Sequence, residues 1–335
     1  MPSPDAFTLD SPPHRRRWPW IIVFVLVVAL VTTAGIAGVY LWRLASSYDK
    51  AQSLPAQEVF PSVRPVEVNP AAINVLLLGS DSRNGLGTNL DDIRGQRADT
   101  MMLAHIPADR SGVQVISFMR DNWVDIPGGH GEHKLNAALA FGGVPLLVQT
   151  LESITDVRID HVMITDFSGF KGLTEALDGV TVNNSIPFRA QGFSFDQGPI
   201  EVRGDGALAF VRERYSFRDG DYQRVRNQQA FIRGVVNKML SAETLTDPGR
   251  VAASVEAMAP YLMVDAGLDA GTVVSLAVSL RDVRSDDVLF LTSPTKGTGT
   301  SADGQSIVIP DVDALAELAE ALKNDTVPEY AAAHP

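Results

Sequence analysis

The sequence predicts an α/β fold: a single three-layer domain with a central mixed β-sheet flanked by helices, preceded by one transmembrane helix. Three observations point there. Short apolar runs ending in glycine or in charged residues recur along the chain, as buried strands do. Between them lie stretches with apolar residues at helical spacing, and strands mixed with helices throughout indicate helices covering a sheet. Residues 18–42 carry no charged side chain, and a bilayer is crossed by about 20 such residues.

The membrane segment comes first. Residues 1–17 close on His14-Arg15-Arg16-Arg17 and are expected to be a cytoplasmic tail. Trp18, Trp20, Tyr40 and Trp42 mark both ends of the apolar run, where amphipathic rings favour the membrane interface. Three arginines before the span against Arg43 alone just after it place the N-terminus inside and all that follows outside. The expectation is a single-pass cell-membrane protein with an extracellular C-terminal domain. A cleavable signal has an apolar core of only about 7–15 residues, so 18–42 reads as an uncleaved anchor. The chain has no cysteine, which permits an oxidising exterior. Its formal charge of −12 makes the exterior part a poor nucleic-acid binder.

Residues 43–70 are largely polar, with prolines at 55, 61, 65 and 70, and read as an extracellular stalk. The folded domain is expected at 71–325. Ile73 to Gly79 is a buried strand, followed by Asp81 and Arg83; residues 84–96, rich in Gly and Asn, form a loop. Arg97-Ala98-Asp99-Thr100 opens a second strand, Met101 to Ile106, and Val113 to Phe118 is a third that leads into Arg120-Asp121. Residues 130–133 read as a loop. Lys134 to Phe141 and Val144 to Ile154 are helical, broken by Gly142-Gly143. Ile159 to Thr165 is a strand, Phe167 to Leu177 a helix stopped at Asp178-Gly179, and Val180 to Val182 a strand. An apolar run from Ala207 to Val211 ends at Arg212. Tyr222 to Leu240 is a long helix, and Val251 to Met258 and Gly271 to Leu280 are shorter ones. Val288 to Thr292 and Ile307 to Ile309 are strands. Asp311 caps a helix reaching Lys323, and 326–335 is expected to be a disordered tail.

Chemistry concentrates in residues 210–229, where arginines stand at 212, 214, 218, 224 and 226 and lysine is absent. A guanidinium is planar, permanently charged and able to donate paired hydrogen bonds, so such a cluster suits phosphate or carboxylate oxygens. Interleaved Glu213, Asp219 and Asp221 equally allow a solvated, salt-bridged surface. If a helix begins near Asp221, Arg224 and Gln228 share a face, so two elements can aim donors at one point. Asp81 and Asp99 sit at strand boundaries; they could hold Mg²⁺, which takes one or two carboxylates plus substrate phosphates, or serve as a turn residue and a cap. Arg83, Arg97 and Arg120 each lie beside a strand end. Asp121 could orient Arg120 or accept a proton. The histidines lack metal-ligand spacing, and neither a Gly-x-Ser-x-Gly elbow nor a phosphate-binding P-loop is present.

Taken together, Gly79-Ser80-Asp81-Ser82-Arg83, Arg97-Ala98-Asp99-Thr100, Arg120-Asp121, Lys134-Leu135-Asn136-Ala137-Ala138, Phe210-Val211-Arg212-Glu213-Arg214 and Asp221 through Arg224 to Gln228-Gln229 resemble the LytR-CpsA-Psr family of membrane-anchored cell-wall phosphotransferases. The resemblance runs from about residue 71 to about 325. It implies transfer of a glycopolymer phosphate from a polyprenyl-pyrophosphate-linked glycan donor to a peptidoglycan hydroxyl, with Mg²⁺ or in its place Mn²⁺. It implies Asp81 and Asp99 as metal-associated carboxylates, and Arg120, Arg212, Arg224 and Gln228 as a pyrophosphate clamp. Arg83, Arg97 and Arg214 match further charged positions, and Arg120, Asp121, Arg212 and Arg224 are the expected catalytic groups. The chain departs from the family at Met119, often proline, at Asn227, often arginine, and at Gln223, commonly glycine. Two other readings of the same residues stand beside transfer: a polyprenyl-pyrophosphate phosphatase, with water as acceptor, and a regulator that binds polyprenyl phosphates without turnover.

Overall fold

The computed structural model describes residues 42, 45–80, 98–245 and 247–334. The expected membrane span therefore lies outside the described residues except for Trp42, as do Asp81, Arg83, Arg97 and the loop 84–96.

The region expected to be a stalk is part of the fold. Strand β1 (Gln52–Leu54) pairs in parallel with a strand from late in the chain. Helix α1 (Ala56–Val59) follows Pro55 and buries Val59 completely in the main core. Arg64 then reaches Glu152, whose carboxylate accepts from Arg64 Nε at 3.0 Å and Nη2 at 2.6 Å, and from the amide of Ile159 at 2.9 Å. The prolines prevent long elements here, but they do not prevent packing.

Strand β2 (Ile73–Ser80) lies mid-sheet, antiparallel to β3 (Ala98–Ile106), which is antiparallel to β4 (Val113–Phe118). With a side-chain period of two, Leu76 and Leu78 join one core and Leu77 packs on the other face. After β4 comes a hairpin, β5 (Trp123–Ile126) and β6 (Gly131–Lys134). Of the residues expected as a loop, 131–133 are thus strand and His130 stays in the turn, and the following helix begins at Ala137, three residues beyond Lys134. The hairpin's turn uses Gly128 and Gly129 at φ near +83° and +84°, a conformation that glycine adopts without steric cost. Helix α2 (Ala137–Thr155) breaks at Gly142 and Gly143, where the sequence placed a breaker.

Strand β7 (His161–Thr165) runs parallel to β2, and Asp166 caps α3 (Phe167–Ala176) by accepting from the amides of Ser168 and Gly169 at 2.9 Å each. A satellite of short strands follows: β8 (Val180–Asn184), β9 (Phe188–Ala190), β10 (Phe193–Phe195) and β11 (Gly198–Val202). With α4 (Gly204–Arg212) and α5 (Asp221–Met239) they enclose a second core around Phe188, Phe195, Phe210 and Phe231. The expected strand at 180–182 is only the first of these.

Helix α6 (Pro248–Met258), β12 (Leu262–Asp265), α7 (Ala270–Ser279), β13 (Val288–Thr292), the hairpin β14 (Thr295–Thr300) and β15 (Ser306–Pro310), and α8 (Val312–Lys323) follow, of which β12 and β14 are not among the expected strands. The tail is a correction. It forms α9 (Val327–Ala333), with Val327 fully buried and Tyr330 Oη donating to the Ala314 carbonyl at 3.2 Å. Just before it, Asp325 accepts from the amide of Ala108 and from Asn69 Nδ2, both at 2.9 Å, and faces buried His105 Nε2 at 3.0 Å.

The seven-stranded sheet has the order β1-β12-β7-β2-β3-β4-β13 and is mixed. Helices cover both faces: α2 and α8 lie over Leu76, Leu103 and Ile116, while α5 lies over Met102 and Val115, and α6 and α7 over Leu262 and Val264.

Arg64→Ala is expected to destabilise the protein by about 3 kcal/mol or more, because it leaves the Glu152 carboxylate, 2% exposed, without its cation. Urea unfolding of the two forms checks this, and an unchanged midpoint would return 43–70 to the role of a passive stalk.

Candidate active site

Several elements end at one edge of the sheet. Strands β2 and β7 finish there at Ser80 and Thr165, antiparallel β3 starts there with Asp99 as its second residue, and β4 delivers Arg120-Asp121 just past its end. Above this edge, Arg212 lies in the last turn of α4, and α5 starts at Asp221 with Arg224 and Gln228 one and two turns further on.

Between the sheet and helices α3, α4, α5 and α6 lies a cavity of about 220 Å³. Its walls are apolar, with Leu77, Met102 and Met163 from the sheet and Phe170, Leu208 and Phe231 from the helices. Its polar lining includes Asp99, Asp166, Arg212, Arg224 and Gln228. The structure therefore brings together Asp99, Arg212, Arg224 and Gln228 from positions far apart in the sequence.

Asp221 is the hub of the arginines. Its carboxylate lies 3.5 Å from Arg120 Nε, 3.6 Å from Arg214 Nη1 and 3.2 Å from Arg224 Nη2. Arg120 also bonds to Asp99 through Nη1 and sits 3.8 Å from Asp121, which Lys134 Nζ meets at 3.3 Å. Burial works to raise the Asp221 carboxyl, but Arg224, then a hydrogen bond from Asp121, then Arg120 and Arg214 outweigh it and hold it below the usual carboxylate range. Asp121 moves the other way. Burial first, and then its hydrogen bond to Asp221, raise it. As pH falls, Asp121 therefore takes up a proton before Asp221 does. Burial and the neighbouring Arg120 press the Arg224 guanidinium down from its ordinary value. Among the described residues the buried Nε atoms of Arg120 and Arg224 make no hydrogen bond; Arg120 Nε faces the Asp221 carboxylate at 3.5 Å, which leaves Arg224 Nε as a donor for an anion.

Arg212 has a different support. Its guanidinium lies 4.3 Å above the centre of the Phe167 ring, a cation–π contact, and it has no carboxylate partner among the described residues. Gln228 is tethered by Nε2 to the Val211 carbonyl at 3.5 Å, which ties α5 to the end of α4. Arg214 is half-buried and, besides facing Asp221, donates through Nη2 to Tyr215 Oη at 2.7 Å. Arg226 leaves the cluster for Asp219 and for Gln223 Oε1 at 2.9 Å. Buried Gln223 and Asn227 hydrogen-bond each other at 2.9 Å. The two departures from the family pattern on α5 are thus one local exchange, in which a glutamine–asparagine pair fills the space and no charge is restored.

Sequence reasoning did not single out Asp221, Phe167 or Asp166 as site residues. For Asp166-Phe167 a signal exists, since a capping aspartate follows directly on a predicted strand, as Asp81 follows β2. For Asp221 the motif was visible, but which of the interleaved acids would meet the arginines is fixed only by where α5 starts.

The LytR_cpsA_psr family profile matches residues 43–324. The chain is 30% identical over 306 residues to a protein of Enterococcus faecalis named polyisoprenyl-teichoic acid–peptidoglycan teichoic acid transferase TagU, covering 91% of this chain and 95% of that one. It is 34% identical over 250 residues to the protein of the same name from Oceanobacillus iheyensis, covering 71% and 74%. It is 29% identical over 281 residues to the cell wall biosynthesis protein LcpA of Corynebacterium glutamicum, covering 72% and 54%. The fold is that of B. subtilis TagV, with a TM-score of 0.63 at 20% identity over 76% of this chain and 97% of the other, and of B. subtilis TagT, with a TM-score of 0.59 at 22% identity over 80% and 98%. Motifs, fold and a match that spans nearly every described element agree: the chain belongs to the LytR_cpsA_psr family.

Proposed function

We propose that the protein transfers a glycopolymer, as its phosphate, from a polyprenyl-pyrophosphate carrier to a hydroxyl of peptidoglycan during cell-wall assembly. The observation that carries this reading is the cavity itself, an apolar pocket lined at its polar end by Arg212, Arg224 and Gln228. A lipid diphosphate has that same division into hydrocarbon and charge. The names of the relatives, polyisoprenyl-teichoic acid–peptidoglycan transferases, supply the donor and acceptor classes.

In this mechanism the isoprenoid occupies the apolar walls and the diphosphate lies against Arg120, Arg212 and Arg224, whose fixed donors stabilise charge developing on the phosphoryl oxygens. The acceptor oxygen forms a bond to the glycan-bearing phosphorus, the bond from that phosphorus to the bridging oxygen breaks, and the electron pair departs with polyprenyl phosphate. The hydroxyl proton passes to the Asp121 carboxylate, held 3.3 Å from Lys134. Asp99, with one oxygen already on Arg120, fits a cation completed largely by substrate oxygens, and Asp81 is its proposed companion. Mg²⁺ is commonly bound by one or two carboxylates plus substrate phosphates. Bound there, Mg²⁺ supplies neutralisation of the diphosphate. Residues 18–42 hold the domain at the outer membrane surface, beside a donor that cannot leave the bilayer.

Arg120→Ala, Arg212→Ala and Arg224→Ala should each slow transfer from a synthetic lipid-linked donor roughly 100-fold or more. Wild-type rates in all three would reject the clamp, and glycan phosphate released to water despite ample acceptor would favour a phosphatase. Because the Asp121 carboxyl is raised, the rate should fall as pH drops through a value above the ordinary carboxylate range, and Asp121→Asn should abolish both the activity and this acid limb. Stability should respond in opposite senses. The depressed Asp221 carboxyl stabilises the fold above its unfolded pKa, and this is lost as pH falls through its lowered value. The raised Asp121 costs stability as pH climbs through its own window. At pH 7 Asp221→Asn should therefore lose about 3 kcal/mol and Asp121→Asn should lose none, as read by urea unfolding.

A further inference from the structure

A row of rings lies beside Asp121, and the mechanism above does not use it. Phe141, on the second turn of α2, is 45% exposed. His130 lies nearly parallel to it at 4.9 Å, His133 meets it edge-on at 5.0 Å, and Trp123 tilts toward His133 at 6.1 Å. The tip of the β5–β6 hairpin is open, since a Cβ added at Gly129 or Gly131 would meet nothing within 4 Å.

This row is built into the same unit as the catalytic corner. The amide of Leu135 donates to the Asn122 carbonyl at 2.8 Å and that of Asn136 to the Arg120 carbonyl at 3.1 Å, while Lys134, at the end of β6, grips Asp121. The cavity lies on the Leu77 face of the sheet, whereas α2, which carries Phe141, covers the Leu76 and Leu78 face. Arg120 and Asp121 follow directly on β4, whose residues alternate between those two faces.

We propose that Trp123, His130, His133 and Phe141 form the acceptor subsite, a surface for the uncharged, hydroxyl-rich sugar rings of a saccharide chain that approaches Asp121 from the side opposite the lipid cavity. The proposal rests on the transferase reading. Ring faces and edges suit the C–H faces of pyranoses, and imidazole nitrogens and the indole N–H, interleaved with them, can bond to hydroxyls. Charge argues for a neutral partner. No arginine belongs to the row, and the cross-strand pair Asp125 and Glu132, both exposed on the hairpin, disfavours an anionic lipid surface.

The test uses the full chain in detergent, as wild type, Phe141→Ser and His130→Ala, with soluble uncross-linked peptidoglycan strands as the probe. Binding of strands is measured by calorimetry, and KM is measured separately for strands and for a synthetic lipid donor. Each variant is expected to weaken strand binding and raise the strand KM about five-fold or more, while the donor KM stays within two-fold of wild type, about one-half of a kcal/mol. His130 is at the exposed tip, so its variant keeps the test open if Phe141→Ser folds poorly. Wild-type strand affinity in a folded variant overturns the subsite while leaving transfer intact. If the wild type transfers nothing, the transferase reading fails on its own, and the strand affinities still decide whether this surface binds glycan.

Discussion

One carboxylate fixes where the helical layer meets the sheet edge. Asp221 opens α5 and sits within 3.6 Å of three guanidiniums, from a strand end, a loop and its own helix. Gathered without an anion, those cations would repel one another strongly in a half-buried setting. At a helix N-terminus the same carboxylate is further favoured by the helix dipole. Asp221 thus serves two ends with one charge. It starts α5 at a defined residue, and it keeps Arg120 and Arg224 aimed at a place where phosphate can take over part of the pairing.

The rest of the site follows from that start. Counting along α5, Arg224 and Gln228 fall on one face and line the cavity, while Ile232 and Val236 press on the sheet and Phe231 enters the second core. The strand period does the same below. Leu77 and Met102 face the cavity and Leu76 and Leu103 face α2, so the apolar wall and the main core are alternate sides of the same strands. In the proposed reading, anionic recognition and lipid recognition are one packing problem, solved by α5 lying across the sheet in one register.

Much of this was legible in the sequence. Strands β2, β4 and β13 are largely apolar runs with clear punctuation, and α5 carries its period over nineteen residues. The arginine cluster was visible, but its interleaved acids allowed a salt-bridged surface equally, and only the shared face of Arg224 and Gln228 pointed to a site. What failed were short elements that exist only through tertiary contact. The β5–β6 hairpin depends on backbone bonds to Asn122 and Arg120, the phenylalanine-rich satellite on a shared core, and β1 on a partner more than two hundred residues away. The tail looked frayed because its alanines say nothing of Val327 or of the Asp325 contacts that hold it. Pairing of Asp221 with three arginines was hidden for a related reason, since Glu213 and Asp219 have the same charge and only geometry separates them.

The central claim is that phosphate oxygens share Arg120 and Arg224, which Asp221 now gathers, and take Arg212 beside them. A crystal structure of the protein with a polyprenyl-pyrophosphate-linked saccharide tests it most directly. The account predicts diphosphate oxygens at about 3 Å from Arg120, Arg212 and Arg224, with the isoprenoid between the sheet and α5. A lipid bound elsewhere, or a diphosphate that leaves all three guanidiniums untouched, would contradict it.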